Sequence, residues 1–307
     1  PLPKLDHICF PSTGFGGMEN WGLIIYNDTA LLYDPATTQT ATKERVFGIV
    51  AHELAHQWFG NLVTMGWWDN LWLNEGFASW MGTKVTDHFN PDWKVWLRAA
   101  GARERAMQFD ARATTHPVQQ PVREEHQAWD VFDVITYQKG QSVLRMIEQW
   151  TGEQEFRKGL QRYFNRHAYG NTTTADLWAA LEESSGKPIG KMARGWTEQG
   201  GFPVVRVKGS ANQNGARAIL QQERFALGHN PPATEWLIPV QFQFGADQKT
   251  VRNLELHNRE ALKVDLNANA VSGKPLIVNP GGVGYDRVDY GEAGRAKFLN
   301  ANEAGGQ

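Results

Sequence analysis

Two histidines separated by three residues constrain this chain of 307 residues more than any other feature of its sequence. They belong to the run His52-Glu53-Leu54-Ala55-His56, which follows apolar residues at helical spacing. Four residues advance a helix by about one turn, so both imidazoles project from one face, roughly 6 Å apart. Such a pair can supply two ligands to zinc, and the intervening glutamate is placed to polarise a water rather than to bind the metal. A helix with two ordinary surface histidines is the alternative interpretation.

Glu75 is the candidate for the third ligand, because catalytic zinc usually takes three ligands from the protein. It follows His56 by nineteen residues, in the run Trp72-Leu73-Asn74-Glu75-Gly76-Phe77-Ala78. We predict a second helix over residues 71–88 and a helical hairpin that brings Glu75 over the two histidines. Taken alone, this glutamate would be interpreted as a surface carboxylate, and only the upstream pair favours the ligand hypothesis.

Composition excludes several classes of function. Hydrophobic residues make up 41% and charged residues 21%, as in ordinary globular proteins. The 31 basic and 33 acidic residues give a net charge of −2, whereas proteins that bind nucleic acid normally carry a basic excess, so we expect no nucleic-acid partner. The apolar runs are too short to span a bilayer. A single cysteine, Cys9, excludes an internal disulfide framework and leaves the compartment open, with a soluble cytoplasmic protein expected.

The hydrophobic periodicity divides the chain near Gly200-Gly201. We predict an α+β protein with a mainly helical domain over residues 1–200, a small antiparallel β-sandwich over residues 201–290, and a tail or linker over residues 291–307. Helices are predicted over residues 90–107, 137–150 and 174–183, with Asn90, Thr174, and either Asp69 or Asn70 as helix caps. Strands are predicted over residues 6–10, 21–26, 204–207, 237–244, 250–256, 262–266 and 276–279.

Three further runs accompany the histidine pair and Glu75. They are Gly16-Gly17-Met18-Glu19-Asn20, residues 58–64 (WFGNLVT) and residues 132–140 (FDVITYQKG). Together these runs resemble the aminopeptidase N family of zinc peptidases, the gluzincins with a thermolysin-like catalytic domain. The first run resembles the family's Gly-x-Met-Glu-Asn motif, with Gly17 where alanine is commoner. The resemblance extends over residues 5–290.

The resemblance implies a cofactor and a reaction. One Zn²⁺ would be held by His52, His56 and Glu75, and would activate a water and polarise the scissile carbonyl. Glu53 would act as general base and return the proton to the leaving amine, while Tyr137 would donate to the oxyanion. The implied activity is hydrolysis of the N-terminal peptide bond of peptides that have a free N-terminus.

The same resemblance implies that the glycine-rich run, residues 16–20, determines exopeptidase specificity. Glu19 would bind the free α-amine of the substrate. The main chain of Gly16, Gly17 and Met18 would hydrogen-bond the peptide as an added strand, with Gly17 allowing a close approach and Asn20 completing the motif. An endopeptidase with the same zinc helix would lack this run.

The resemblance covers only the second and third of the family's four domains, so affinity and selectivity are expected to differ, and an exposed apolar face is expected to favour association. Two alternatives stay open, a truncated scaffold with little or no activity and a bifunctional relative that also hydrolyses epoxides.

Asn74, Asp69 and Asp133 are each candidates either to orient a ligand or to cap a helix. Core positions are expected for Trp58, Trp67, Trp68, Trp72 and Trp80.

Overall fold

The computed structural model describes residues 2–11, 14–212, 215–228, 230–244, 252–256, 261–266 and 276–292. They form two compact units, one of residues up to 106 together with 118–190, and one of residues 107–117 together with those from 191 onward. The predicted mixture of helices and sheets is confirmed, whereas the domain limits at 200 and 290 stay predictions. Residues 293–307 of the predicted tail lie outside the described residues.

The first unit consists mainly of helices. They are α1 (Asp28–Leu31), α2 (Thr40–Ala55), α3 (Trp72–Phe89), α4 (Val95–Asp110), α5 (Gly140–Thr151), α6 (Glu153–His167), α7 (Thr174–Ser185) and α8 (Ile189–Thr197), of which α4 and α8 continue into residues of the second unit. Apolar residues at helical spacing bury one face of α5, from Val143 to Trp150, as its sequence predicts. Helices α6 and α8 are not predicted from the sequence.

A small sheet precedes the helices. It contains β1 (Asp6–Cys9), β2 (Gly17–Met18) and β3 (Leu23–Tyr26) in the order β1-β3-β2, with β1 parallel and β2 antiparallel to β3. A separate parallel pair joins β4 (Val63–Met65) to β5 (Gly170–Thr172). Because β2 is an edge strand, the run that contains Gly17 and Met18 is paired on one side only within this sheet.

The start of α3 is fixed by tertiary contacts rather than by a helix cap. Asn70 Oδ1 accepts hydrogen bonds from the backbone N and the hydroxyl of Thr174, at 2.9 and 2.8 Å, and Trp72 Nε1 donates to the same hydroxyl. Neither Asp69 nor Asn70 caps α3, so that prediction is wrong, and the N-cap of α7 is Thr173, not Thr174. These bonds hold the beginnings of α3 and α7 together in the core.

Two other predicted helices differ in detail. The helix predicted over residues 90–107 is interrupted at Lys94, which has φ +51° and separates a 3₁₀ turn (Pro91–Trp93) from α4. Asn90 is the N-cap residue of the 3₁₀ turn, as predicted, but its side chain makes no capping hydrogen bond and instead contacts the Thr86 carbonyl at the end of α3. The helix predicted from residue 137 begins as a π-helical turn (Ile135–Lys139) that continues into α5.

Strands make up most of the second unit. They are β6 (Pro203–Asn212), β7 (Gly215–Arg224), β8 (Ile238–Phe244), β9 (Arg252–Leu256), β10 (Leu262–Leu266), β11 (Leu276–Val278) and β12 (Arg287–Asp289). One sheet has the order β10-β7-β6-β12 and the other β11-β8-β9. All pairs are antiparallel except β6 with β12, so the purely antiparallel prediction needs this correction, and β7 and β12 were not predicted. The sandwich arrangement stays a prediction.

Candidate metal centre

Helix α2 presents two imidazoles at a separation suited to a shared ligand. The Nε2 atoms of His52 and His56 lie 3.1 Å apart, as expected for residues one helical turn apart on the same face. His56 is 1% exposed, and its Nδ1 lies 2.9 Å from the carbonyl oxygen of Phe59, to which it donates. That hydrogen bond holds a proton on Nδ1, so Nε2 is the ring atom that can bind a ligand once its own proton is displaced.

Helix α3 adds a carboxylate to the same point. Glu75 Oε2 lies 3.2 Å from His52 Nε2 and 3.3 Å from His56 Nε2. The close approach of α2 and α3 depends on Gly82, where a Cβ would lie 3.1 Å from the backbone nitrogen of His52. Glu75 is only 6% exposed, so the three ligand atoms meet in a largely desolvated place.

The three groups perturb one another strongly. Burial alone would raise the pKa of Glu75, but its hydrogen bonds with His52 and His56 lower that pKa to about 2. Burial lowers the pKa of His52 below its usual value. It acts in the same direction on His56, but the Glu75 carboxylate outweighs it and raises the pKa of His56 to about 9. Glu75 is therefore ionised in the protein, as a metal ligand must be.

The separations fit a tetrahedral metal ion. Zinc bonds of 2.0–2.1 Å to nitrogen and oxygen put tetrahedral ligand atoms about 3.3 Å apart, close to the three distances of 3.1, 3.2 and 3.3 Å found here. A second cluster, of Glu19, Glu53 and His56, also has metal-binding atoms within 4.8 Å of one another. It fits less well, because the nearest ring atom to Glu19 is His56 Nδ1, which already donates to Phe59.

Glu53 lies beside the three ligands and is 5% exposed. Burial raises its pKa to about 8, with the charges of Glu19 and Glu75 acting in the same direction against that of His56. The side chain occupies the space over Gly17, where a Cβ would come within 2.3 Å of Glu53 Oε1. The absence of a side chain at Gly17 therefore admits the Glu53 carboxylate to this position.

Tyr137 approaches from the other side of His52. Their rings are stacked, with centroids 6.1 Å apart, and the Glu75 carboxylate acts on the Tyr137 hydroxyl and raises its pKa. Burial raises the pKa of Tyr137, with the Glu75 charge adding to the effect, so the hydroxyl keeps its proton and stays a donor. Gly76 and Gly140 allow this approach, since a Cβ on either would lie 3.3 Å from the Cα of the other.

The glycine-rich run is tied to the end of α2. The backbone oxygen of Glu19 accepts hydrogen bonds from Asn61 Nδ2 at 2.7 Å and from Gln57 Nε2 at 3.2 Å. Its carboxylate lies 3.7 Å from His56 Nδ1. The sequence analysis did not single out Gln57 and Asn61, although both lie within one or two turns of His56. They position Glu19 beside the three ligands.

The rest of the run lies at the surface next to this glutamate. Gly16 and Asn20 are exposed and Met18 is 39% exposed. The carbonyls of Gly16 and Asn20 accept hydrogen bonds from the backbone nitrogens of Asn27 and Leu23, which fixes the turns on both sides of β2. Two residues of the run therefore reach the candidate metal centre, because Gly17 lies against Glu53 and the Glu19 carboxylate lies beside His56.

Comparison with known proteins gives the family. Residues 1–196 match the Peptidase family M1 domain. The chain belongs to peptidase family M1. It is 40% identical to Aminopeptidase M1 of Arabidopsis thaliana over 99% of this chain and 35% of that protein. It is 39% identical to the puromycin-sensitive aminopeptidase of Caenorhabditis elegans and 40% identical to human glutamyl aminopeptidase, over 95% and 94% of this chain and 31% and 30% of those proteins.

These relatives confirm the resemblance found in the sequence. This M1 chain spans about a third of the length of the curated relatives that it matches. Among the residues that the structure describes, every helix falls short of the length or apolar character that a membrane span requires.

The three polar residues that could either orient a ligand or cap a helix differ in their contacts. Asp133 Oδ1 accepts from the backbone nitrogens of Ile135 and Thr136, so it caps the turn that carries Tyr137. Asp69 accepts a hydrogen bond from its neighbour Asn70. Asn74 is buried next to the turn after His56, and its Oδ1 has no hydrogen-bond partner among the described residues.

The tryptophans divide between core and surface. Trp72 and Trp80 are 0% and 2% exposed, which confirms their predicted core positions, and Trp68 is partly buried. Trp58 and Trp67 are 53% and 47% exposed, so their predicted core positions are wrong. Trp58 lines an apolar groove of about 610 Å³ between α2, α3 and α6. Association of the M1 domain through such a surface stays a prediction.

A cavity of about 530 Å³ opens beside the metal centre, between α2, α3 and α4. His52, Glu53 and Tyr137 line one end of it. The other end reaches Glu44, two helical turns before His52, which sequence reasoning missed. The spacing could have indicated that Glu44 lies near the site, because positions 44, 48 and 52 are four residues apart and therefore share a face of α2.

Proposed function

We propose that this chain carries the catalytic centre of a zinc-dependent aminopeptidase, which removes the N-terminal residue from peptides with a free amino group. One observation carries the proposal. Three ligand atoms, from His52, His56 and Glu75, lie within 3.3 Å of one another, with two further carboxylates adjacent. Family membership supports the proposal, since relatives from a plant, a nematode and a mammal are named aminopeptidases.

His52, His56 and Glu75 are the residues that would hold one zinc ion. Bound there, zinc would polarise the scissile carbonyl and lower the pKa of a water. The protein's part is to hold the two Nε2 atoms together with the ionised Glu75 carboxylate, and zinc would displace the proton that the raised pKa of His56 keeps on Nε2. The hydrogen bond between His56 and the Phe59 carbonyl supports this assignment, because an outer partner of this kind fixes the tautomer of a ligating histidine.

Glu53 would act as the general base. A general base works best when its pKa lies near the working pH, and burial raises the pKa of Glu53 to about 8. It would take a proton from the attacking water and return that proton to the leaving amine. Since it lies beside the ligands without belonging to the closest set of three, it is free for this role.

Tyr137 would stabilise the negative charge that develops on the carbonyl oxygen. Its hydroxyl stays protonated because burial raises its pKa. In the reaction this hydroxyl would donate to the oxyanion. The stacking on His52 limits the rotation of the ring, so the donor is held in advance.

Glu19 would bind the substrate's α-ammonium group and so restrict cleavage to the first peptide bond. A cation needs a carboxylate that is not consumed by the metal, and Glu19 is 18% exposed in its side chain, within reach of a ligand. The edge strand β2 offers unpaired backbone groups beside it, and a peptide would add to this strand through Gly16, Gly17 and Met18.

The test combines metal analysis with hydrolysis of aminoacyl-anilides and of their N-acetylated counterparts. We expect one zinc per chain, hydrolysis of the free anilides only, and loss of hydrolysis in Glu53→Ala with zinc retained. Zinc without hydrolysis would contradict the activity and favour a scaffold. Absence of zinc from the protein after incubation with the ion would contradict the ligand assignment. Cleavage of acetylated substrates would contradict the role of Glu19.

A further inference from the structure

The strand partner of Gly17 is a buried tyrosine on the same face of the small sheet. β2 pairs antiparallel with β3, and Gly17 lies directly opposite Tyr26. Side chains of directly opposite residues leave a sheet on the same face, with their Cβ atoms about 4.5–5.5 Å apart. A Cβ on Gly17 would lie 2.3 Å from Glu53 Oε1. The Tyr26 side chain therefore leaves the sheet on the face that the Glu53 carboxylate covers.

The surroundings of Tyr26 agree with this placement. The residue is 0% exposed, so its ring is enclosed by the protein. Burial raises the pKa of Tyr26, and the charge of Glu53 raises that pKa further, which requires the hydroxyl to lie within range of the carboxylate. The hydroxyl therefore keeps its proton and stays an uncharged group near Glu53.

Strand β1 holds the Tyr26 side chain from the other side of the sheet. β1 and β2 flank β3, and the Tyr26 hydroxyl forms a hydrogen bond of 3.0 Å with Nδ1 of His7 on β1. The two rings are nearly parallel, with an interplanar angle of 12° and centroids 5.6 Å apart. His7 is exposed and is not one of the residues of the metal centre. Its hydrogen bond can therefore be removed without changing a metal ligand.

We propose that Tyr26 is a positioning residue for Glu53: held by His7, its side chain keeps the carboxylate where it can take a proton from the attacking water. The inference rests on the proposed function and adds Tyr26 and His7 to the residues on which the reaction depends. Both act through Glu53 and neither is a catalytic residue. Because a small displacement of a reacting group lowers the rate of the chemical step, the effect falls on kcat rather than on substrate binding.

The first test removes the hydrogen bond from either end. Tyr26→Phe and His7→Phe each keep an aromatic ring, and each should lower kcat for the aminoacyl-anilides about 3- to 10-fold, with KM and zinc content unchanged within about twofold. The double variant should be no slower than the slower single variant, since both changes remove the same bond. His7→Asn places an amide near the position of Nδ1, able to donate or accept, and should restore most of kcat.

Tyr163 provides the matched control for loss of a buried hydroxyl. It is 3% exposed, and its hydroxyl lies 2.6 Å from the hydroxyl of Thr172. Tyr163→Phe should lower stability in urea unfolding and leave kcat unchanged, because Tyr163 does not line the cavity beside the metal centre. An equal loss of kcat in Tyr163→Phe and Tyr26→Phe would overturn the inference. An unchanged kcat in Tyr26→Phe and His7→Phe would do the same.

A binding measurement keeps this inference separate from the proposed function. Alanine hydroxamate has two oxygens that can bind zinc and a proton that it can donate to an adjacent carboxylate, and its titration into the zinc-loaded chain does not depend on turnover. Tyr26→Phe should weaken its binding about 3- to 10-fold where Glu53 is present and leave it unchanged in a Glu53→Ala background.

The outcomes of this cycle distinguish the two claims. The expected pattern in a chain that hydrolyses no anilide would support the role of Tyr26 while the proposed activity fails. Equal weakening in both backgrounds would overturn the role of Tyr26 even where hydrolysis proceeds. Binding by the parent chain that is no tighter than binding by Glu53→Ala would also overturn it, because Tyr26 would then have no ordered base to hold.

Discussion

A backbone turn supports His56, and replacing its glycine should weaken metal binding without changing any ligand. Gly60 has φ +126°, a conformation that residues with a Cβ rarely adopt. A Cβ at this position would lie 3.1 Å from Asn74 Nδ2 and 3.5 Å from His56 Nδ1. Gly60→Ala must therefore shift the turn, and with it the Phe59 carbonyl that accepts the hydrogen bond from His56.

Two separate effects should follow, one on stability and one on metal affinity. Holding alanine in an unfavourable backbone conformation costs about 1–3 kcal/mol of the free energy of unfolding. Displacing the partner that orients a ligating histidine lowers metal affinity about 10- to 100-fold, equivalent to roughly 1.4–2.7 kcal/mol of binding free energy. The first effect would accompany any strained glycine, and only the second reports on the contact between Phe59 and His56.

Gly186 provides the matched control. It ends α7 with φ +67°, and a Cβ there would meet nothing within 4 Å. Gly186→Ala should therefore lose about 1–2 kcal/mol of stability with unchanged zinc affinity. Competition with a chromophoric chelator measures the affinity, and urea unfolding of the metal-free proteins measures stability. Zinc affinity equal to that of the parent chain in a destabilised Gly60→Ala would refute the reasoning.

Three further outcomes are expected. Tyr137→Phe should retain zinc and lower kcat by about 10²- to 10³-fold in the anilide assay, as loss of one oxyanion donor does; an unchanged kcat would remove Tyr137 from the reaction. Asn70→Ala leaves two buried donors of Thr174 unpaired and should cost about 2–4 kcal/mol in urea unfolding, a loss that full stability would contradict. Burial alone would lower the pKa of Lys84, but the ion pair with Glu148 outweighs burial and raises that pKa. The pair therefore stabilises the fold at neutral pH. Its contribution is lost only as the pH rises through the raised pKa, above about 10.4. Unfolding measured at pH 7 and pH 11 should show a smaller difference between Lys84→Met and the parent chain at pH 11, and an equal difference would count against the pair.

Of the residues in the candidate site, His52 and His56 are the two whose arrangement the sequence predicts most directly. Their spacing is close to one turn of a helix, so the geometry follows once the helix is accepted, and α2 (Thr40–Ala55) ends at the residue before His56. Glu75 required a further assumption, the packing of α3 on α2. That packing depends on Gly82, whose place in the sequence signals nothing before the two helices are brought together.

Three other features could not be predicted from the neighbouring residues in the sequence. Strand β7 begins Gly-Ala-Arg-Ala-Ile-Leu, without the alternation of apolar and polar residues that marks a half-buried strand, and its pairing with β6 overrides this. Asn70 is a good helix cap by type, but its side-chain oxygen is taken by Thr174, 104 residues later in the chain. The contact of His56 with the Phe59 carbonyl involves a main-chain atom, which no residue type reveals.

The sequence explains only one of two reasons for a glycine at position 17. The motif around it attributes the glycine to the close approach of a peptide to the free edge of β2. The contact at this residue in the folded chain is with Glu53 Oε1, on a different element and 36 residues later. A Cβ at Gly17 would compete for space with the candidate general base before any substrate arrives. The absence of a side chain at Gly17 therefore makes room for Glu53 as well as for a peptide. The space for Glu53 is needed by the folded chain itself, whereas the space for a peptide matters only when substrate binds.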